Sequence, residues 1–159
     1  PRRPGPKLRE DPGCRRGGWP RRLLGAEIVV APDLDTGQII AIADLLLKYQ
    51  IDGVIATNTT IGREGVEGLP HAEETGGLSG APVRQKSNAV IKQLSIALQG
   101  KIPIIGVGGI MSGLDAAEKI QVGASLVQFY SGFIYRGPAL VAEAVREIES
   151  AECMSCKRM

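Results

Sequence analysis

The sequence predicts an α/β fold of four consecutive β-α units, on three observations. Short β-branched runs alternate with stretches of helical apolar spacing. The runs are nearly all apolar, as in parallel strands packed on both faces. The composition, 43% hydrophobic but only 4% aromatic with 21 glycines, suits aliphatic α/β packing with tight turns better than a β-sandwich. Sequential units of this kind form right-handed crossovers, giving either an open doubly wound sheet or part of a (β/α)8 barrel.

The strand runs are "EIVVA" (27–31), "GVIAT" (53–57), "IPIIGV" (102–107) and "SLVQFY" (125–130). After the first, a helix is expected over 36–49, with Ile39, Ile42, Ala43 and Leu46 on one face and Asp33, Asp35 or Thr36 as its cap. A helix over 83–99 turns Val90, Ile91, Leu94 and Leu98 inward and stops at Gly100. The third spans 112–123, capped by Ser112 and ended by Gly123. The fourth spans 138–149, opens on Pro138, and carries Leu140, Val141, Ala144, Val145 and Ile148 as its stripe. One long loop, 60–82, separates the second strand from the second helix; loops of that length are usually functional or disordered.

Residues 1–22 hold seven arginines and Lys7 against Glu10 and Asp11, so the +2 net charge conceals an acidic remainder. A nucleic-acid partner therefore has no electrostatic support. Residues 1–25 read as a disordered basic tail, of the Arg-Gly-Pro composition that GC-rich DNA gives in a wrong frame; 26–150 read as the folded unit and 151–159 as a second tail. Cys14, Cys153 and Cys156 form no disulfide framework, and "CMSC" lacks the further ligands zinc needs, so no metal site is expected. No apolar run reaches the roughly 18 residues of a membrane span, and the chain itself is expected to be soluble.

In parallel β-α folds ligands gather at the C-terminal strand ends. The polar and glycine clusters fall there: Ala31-Pro32-Asp33, Thr57-Asn58-Thr59-Thr60, Gly106-Val107-Gly108-Gly109 and Tyr130-Ser131-Gly132. Gly108-Gly109 and Ser131-Gly132, each read as leading into a helix, suit a phosphate. "ETGGLSGAP" (74–82) in the long loop reads as tight backbone beside something bulky, or as a flexible lid.

"DGVIATNTT", "ETGGLSGAPV", "IPIIGVGGI" and "GASLVQFYSGF" occur in the order found in class 2 dihydroorotate dehydrogenases, and residues 28–149 resemble that family. The resemblance implies the C-terminal half of a (β/α)8 TIM barrel with FMN as cofactor. It implies oxidation of dihydroorotate to orotate, with electrons passed to a quinone, in pyrimidine biosynthesis. By the same resemblance, Thr57, Gly80, Gly109, Tyr130 and Ser131 contact FMN, with Ser79 and Gly108 weaker candidates. Asn58 and Thr59 hold the pyrimidine, whose imide groups an Asn amide can match as donor and acceptor. Family members attach to the bacterial cytoplasmic membrane or the mitochondrial inner membrane.

The chain departs from the family at Val29, where a lysine stands beside the flavin, and the pattern breaks near residue 28. No counterpart of the family's N-terminal half, which carries the catalytic base, is recognisable. The chain alone is therefore expected to bind FMN weakly or not at all and not to turn over, and its open edges to pair with a second copy. The other reading is a non-catalytic phosphate- or nucleotide-binding half-barrel module.

Overall fold

The computed structural model describes residues 27–156; the tail read over 1–25 and the residues after 156 lie outside them. Four strands, β1 (Glu27–Val30), β2 (Gly53–Ala56), β3 (Ile104–Val107) and β4 (Leu126–Gln128), form one parallel sheet in the order β1-β2-β3-β4. Helices α1 (Thr36–Lys48), α2 (Arg84–Leu98), α3 (Gly113–Gln121), α4 (Ser131–Arg136) and α5 (Ala139–Cys156) complete the described elements, with a short 3-10 turn at Ala81–Val83 leading into α2. All four C-terminal strand ends thus lie along one edge of the sheet.

Strand alternation divides the sheet into two unlike faces. Val30, Val54, Ala56 and Ile104 are buried and form one core with Ile39, Ala43 and Leu46 of α1 and Val90, Ile91, Leu94 and Leu98 of α2. Gly106 leaves little room for a side chain: a Cβ there would stand 3.0 Å from Ala124 and 3.2 Å from Lys119. On the other face Val29, Ile55, Ile105 and Leu126 stand in register as one aliphatic row. Among the described residues no helix covers that row, and Val29 and Leu126 are 52% and 60% exposed. One sheet face is therefore packed by helices and the other stays open, as half a barrel requires.

Local signals set the helix ends. Asp35, rather than Asp33 or Thr36, caps α1: its carboxylate accepts from Gln38 N at 2.8 Å, while Gln38 Oε1 accepts from Asp35 N at 2.9 Å. Ser112 caps α3 through Asp115 N. Gln99 and Gly100 both take positive φ where α2 stops.

Three expectations fail. Ser131-Gly132 is not a loop before the last helix but the start of α4. Gly132 is buried there because a side chain would run into the Ile110 carbonyl. The last helix does not end at 149: no Gly or Pro interrupts 149–156, and α5 carries the presumed tail on to Cys156. Within α5, Leu140 and Ala144 are buried against the neighbouring helices, but Val141 and Val145 are 43% and 50% exposed, so only part of the apolar stripe is packed.

Leu46→Ala should lower stability by about 2–5 kcal/mol, the cost of a core cavity. Val145→Ala should stay within about 0.5 kcal/mol. Denaturant midpoints of the two variants against the unmodified chain check the assignment of α5's outer face.

Candidate functional site

Two backbone bonds fix the exit of β2. Thr57 N donates to Val107 O at 2.9 Å and Asn58 N to Val30 O at 2.8 Å, so this segment is held by both neighbouring strands. The Ala56–Thr57 peptide is cis. Thr57 is buried and its Oγ1 donates to Asn58 O at 3.1 Å. Asn58 and Thr59 are exposed; Asn58 Oδ1 accepts from Thr59 N at 2.8 Å, and among the described residues the Asn58 NH2 group has no hydrogen-bond partner.

Thr60, the fourth residue of the cluster, turns the other way. It is buried, and Oγ1 donates to Asp33 Oδ1 at 2.5 Å. Asp33 Oδ2 accepts from Ile61 N at 3.0 Å, and Lys86 of α2 reaches both Asp33 and Glu64 at 3.1 Å. Burial alone would push the Asp33 carboxyl up; the Thr60 hydroxyl, the Ile61 amide and Lys86 together hold it below its ordinary value. This network roots the long loop on β1 and α2.

The loop is ordered by its own contacts rather than being a structureless lid. Thr60 and Leu78 pair as an antiparallel bridge with bonds of 3.0 and 2.8 Å. Within it the Arg63 guanidinium donates to the carbonyls of Ile61, Gly62, Glu74 and Gly76. Gly77 packs directly on Thr59, leaving no space for a side chain, and Gly80 takes φ +80. Ser79 Oγ, at the end of the loop, lies 3.1 Å from Ser131 Oγ of α4.

Past β3, Gly108 and Gly109 have φ of +105° and +75°. Gly109 lies so close to Arg84 that any Cβ would collide with it. Among the described residues their two amide N–H groups have no hydrogen-bond acceptor, and neither do the first N–H groups of α4. Glycine amides in left-handed conformation beside a helix start make a concavity suited to an anion. Asp115 of α3 accepts from Met111 N at 3.0 Å and Ser112 Oγ at 2.9 Å and pairs with Arg84 of α2. Arg136 donates to Met111 O at 3.0 Å and pairs with Glu143, which accepts from Gly113 N. The glycine turn is thus pinned by three helices.

Thr57, Asn58, Thr59, Gly80, Gly109, Tyr130 and Ser131 all line one cavity of about 380 Å³, together with Ser79, Gly108 and Gln128. Tyr130 is 77% exposed at its rim. Val29 lies outside the cavity lining, on the open sheet face. Sequence reasoning missed Arg63, Lys86, Arg84 and Asp115, whose roles depend on partners distant in the chain. Lys119, buried on α3, was missed as well.

The Arg84–Asp115 pair predicts a pH dependence. Burial opposes ionisation of Asp115, but Arg84, Met111 N and Ser112 outweigh it, so its carboxyl sits below the ordinary range. The folded state then holds this proton less readily than the unfolded chain. The pair's contribution is present above about pH 4 and is lost as pH falls further toward the folded-state value. Asp115→Asn should be less stable than the unmodified chain at neutral pH, with the difference shrinking in acid. Denaturant midpoints at both pH values test this, and a gap that does not narrow refutes it.

A family model described as dihydroorotate dehydrogenase matches residues 26–151. A dihydroorotate dehydrogenase (quinone) of Dechloromonas aromatica (strain RCB) is 70% identical over 119 residues, 75% of this chain and 34% of the relative. One of Nitrosomonas eutropha is 67% identical over 116 residues, 73% of this chain and 34% of the relative. The crystal structure of an Eimeria tenella dihydroorotate dehydrogenase with ferulenol superimposes with a TM-score of 0.72 at 39% identity, covering 77% of this chain and 32% of that one. The chain spans about a third of the length of the curated relatives it matches. With the four motifs meeting at one cavity and the match running through the whole described sheet, the chain belongs to the dihydroorotate dehydrogenase family.

Proposed function

We propose that residues 26–151 form the flavin-phosphate and pyrimidine side of a quinone-dependent dihydroorotate dehydrogenase site. The observation that carries this reading is the convergence of three strand ends on one cavity: Thr57–Thr59, the free amides of Gly108 and Gly109, and Tyr130–Ser131.

The donor set fits FMN at its phosphate end. Unpartnered glycine amides and a turn too crowded for any side chain suit a phosphomonoester approached by backbone. Gly109, Tyr130 and Ser131 would hold the phosphate and ribityl chain, and Thr57 and Gly80 would border the flavin ring. Bound FMN would take the reducing equivalents of dihydroorotate and pass them to a quinone. Asn58, its NH2 group unpartnered among the described residues, and Thr59 would orient the pyrimidine by its imide. The cavity lining holds no carboxylate, imidazole, thiol, amine or guanidinium, so any cation beside the ring would come from outside it; the proton-abstracting base, which the resemblance places in the N-terminal half, would act from there.

Among the described residues no helix is long and apolar enough to cross a membrane. Under this reading, attachment to a quinone-bearing membrane depends on a segment outside them.

Grafting residues 26–151, with Val29→Lys to restore the charge the family places beside the flavin, in place of the matching third of the Dechloromonas relative should give a yellow protein that oxidises dihydroorotate. In that graft Asn58→Ala should lower kcat/KM by about ten- to a hundredfold, the loss of one or two substrate hydrogen bonds. The isolated chain should remain colourless in an absorbance scan, bind added FMN weakly or not at all, and show no turnover. A graft that holds FMN but leaves dihydroorotate untouched would instead support a phosphate- or nucleotide-binding module.

Among the described residues β1 and β4 are also open edges beside an exposed aliphatic row. Pairing of two copies through them is expected on this account. Sedimentation at rising concentration should show association; a monomer throughout would disprove it.

A further inference from the structure

Lys119 is the largest fully buried side chain, with 0% exposure. Among the described residues it pairs with no carboxylate; its Nζ donates to Ser87 Oγ at 2.8 Å and Asn88 Oδ1 at 2.7 Å, both on α2. A buried ammonium with neutral partners carries a large desolvation cost. That burial brings its pKa down to about 8. A methionine would fill the same space behind Gly106 without the cost, so packing alone does not account for a lysine here.

The geometry beyond Ser87 does. Ser87 is also fully buried, and its Oγ donates to Val107 O at 2.5 Å, the carbonyl that also accepts Thr57 N. A serine hydroxyl has one proton and two lone pairs, whereas a lysine amine facing it donates. Receiving a bond from Lys119 therefore leaves the single Ser87 proton for Val107. The Val107–Gly108 peptide is trans, so its N–H points opposite to its C=O. With the carbonyl held toward α2 and β2, the Gly108 N–H is turned away from them, and it is one of the two glycine amides without a partner at the cavity.

We propose that Lys119 is a positioning residue, which through Ser87 fixes the Val107–Gly108 peptide so that the Gly108 N–H faces the phosphate end of the cavity. Lys119 itself touches no ligand. The inference rests on the phosphate reading above and deepens it, assigning the orientation of the cradle to a buried lysine on α3 rather than to the glycines alone. It also explains why Ser87 packs against Gly108, 3.4 Å from the site a Cβ there would take.

The test uses the full chain, inorganic phosphate as the probe, and the amide NMR signals of Gly108 and Gly109 as the readout. In the unmodified chain both signals should move as phosphate is added. Lys119→Met and Ser87→Ala should each weaken phosphate binding about tenfold, the value of one lost hydrogen bond to an anion. The double variant should lose no more than either alone, because the two residues act in series. Signals elsewhere should stay in place, which separates misorientation from unfolding; if Lys119→Met fails to fold, Ser87→Ala, which removes one oxygen, decides alone. Unchanged phosphate affinity in folded variants, or additive losses, would overturn the positioning role and leave the phosphate reading standing. If the unmodified chain shows no shift at Gly108 or Gly109, the positioning proposal falls, while the phosphate reading is decided separately by whether the graft binds FMN.

Discussion

The amides of Thr57 and Asn58 reach in opposite directions, to Val107 O on β3 and Val30 O on β1. Those two bonds continue the parallel ladder one step beyond the sheet, and the candidate site hangs from them. In a parallel sheet every strand exits at the same edge, so whatever fixes one exit also fixes its spacing from the next. Stitched on both sides, the β2 exit has little freedom to turn. Thr57 is therefore buried, Asn58 and Thr59 face outward, and Thr60 turns back into the protein.

Around this fixed segment the ion pairs act as ties between helices and loops rather than as general surface decoration. Lys86 joins α2 to Asp33 and Glu64, Arg84 joins α2 to Asp115, and Arg136 joins α4 to Glu143. Exposed pairs of this kind contribute little to stability singly. Asp33, Asp115 and Glu143 are different, because each carboxylate also accepts a backbone amide, from Ile61, Met111 and Gly113. A charged acceptor that binds both a side chain and the main chain specifies backbone position, which an anion cradle built from amides requires.

Much of the fold was legible because its signals are local. Val90, Ile91, Leu94 and Leu98 are spaced so that only one helix face can hold them, and all four are buried. Ser112 and Gly123 mark the ends of α3 by chemistry contained within one turn. The seven residues that the resemblance assigns to cofactor and substrate lie in ordered motifs, and the strand ends bring them to one cavity. What stayed hidden needed distance or depth. Nothing in "TNTT" separates Thr60 from Thr59, since Asp33 lies 27 positions away. α4 is six residues long, too short for a periodic signal, and so read as a loop. Val141 and Val145 have the right spacing but lie on the unpacked part of the α5 stripe.

Val29 shows how far one position can be argued from the sheet. It opens a row that continues through Ile55 and Ile105 to Leu126, four aliphatic side chains in register across every strand. A lysine at Val29 would begin that row with an ammonium, and no carboxylate stands opposite it at Ile55. The strand therefore carries an apolar residue compatible with its neighbours, where the resembled family places a charge. Replacing that charge from within the described residues would require a cation aimed into the cavity. Lys86 is held by Asp33 and Glu64, Arg63 by four carbonyls, and Lys119 lies behind the sheet on Ser87 and Asn88. Each of these cations is already committed to holding backbone or loop in place. The described residues are thus organised to present amides and neutral side chains, and under the proposed function the ring of the cofactor would look elsewhere for its positive charge.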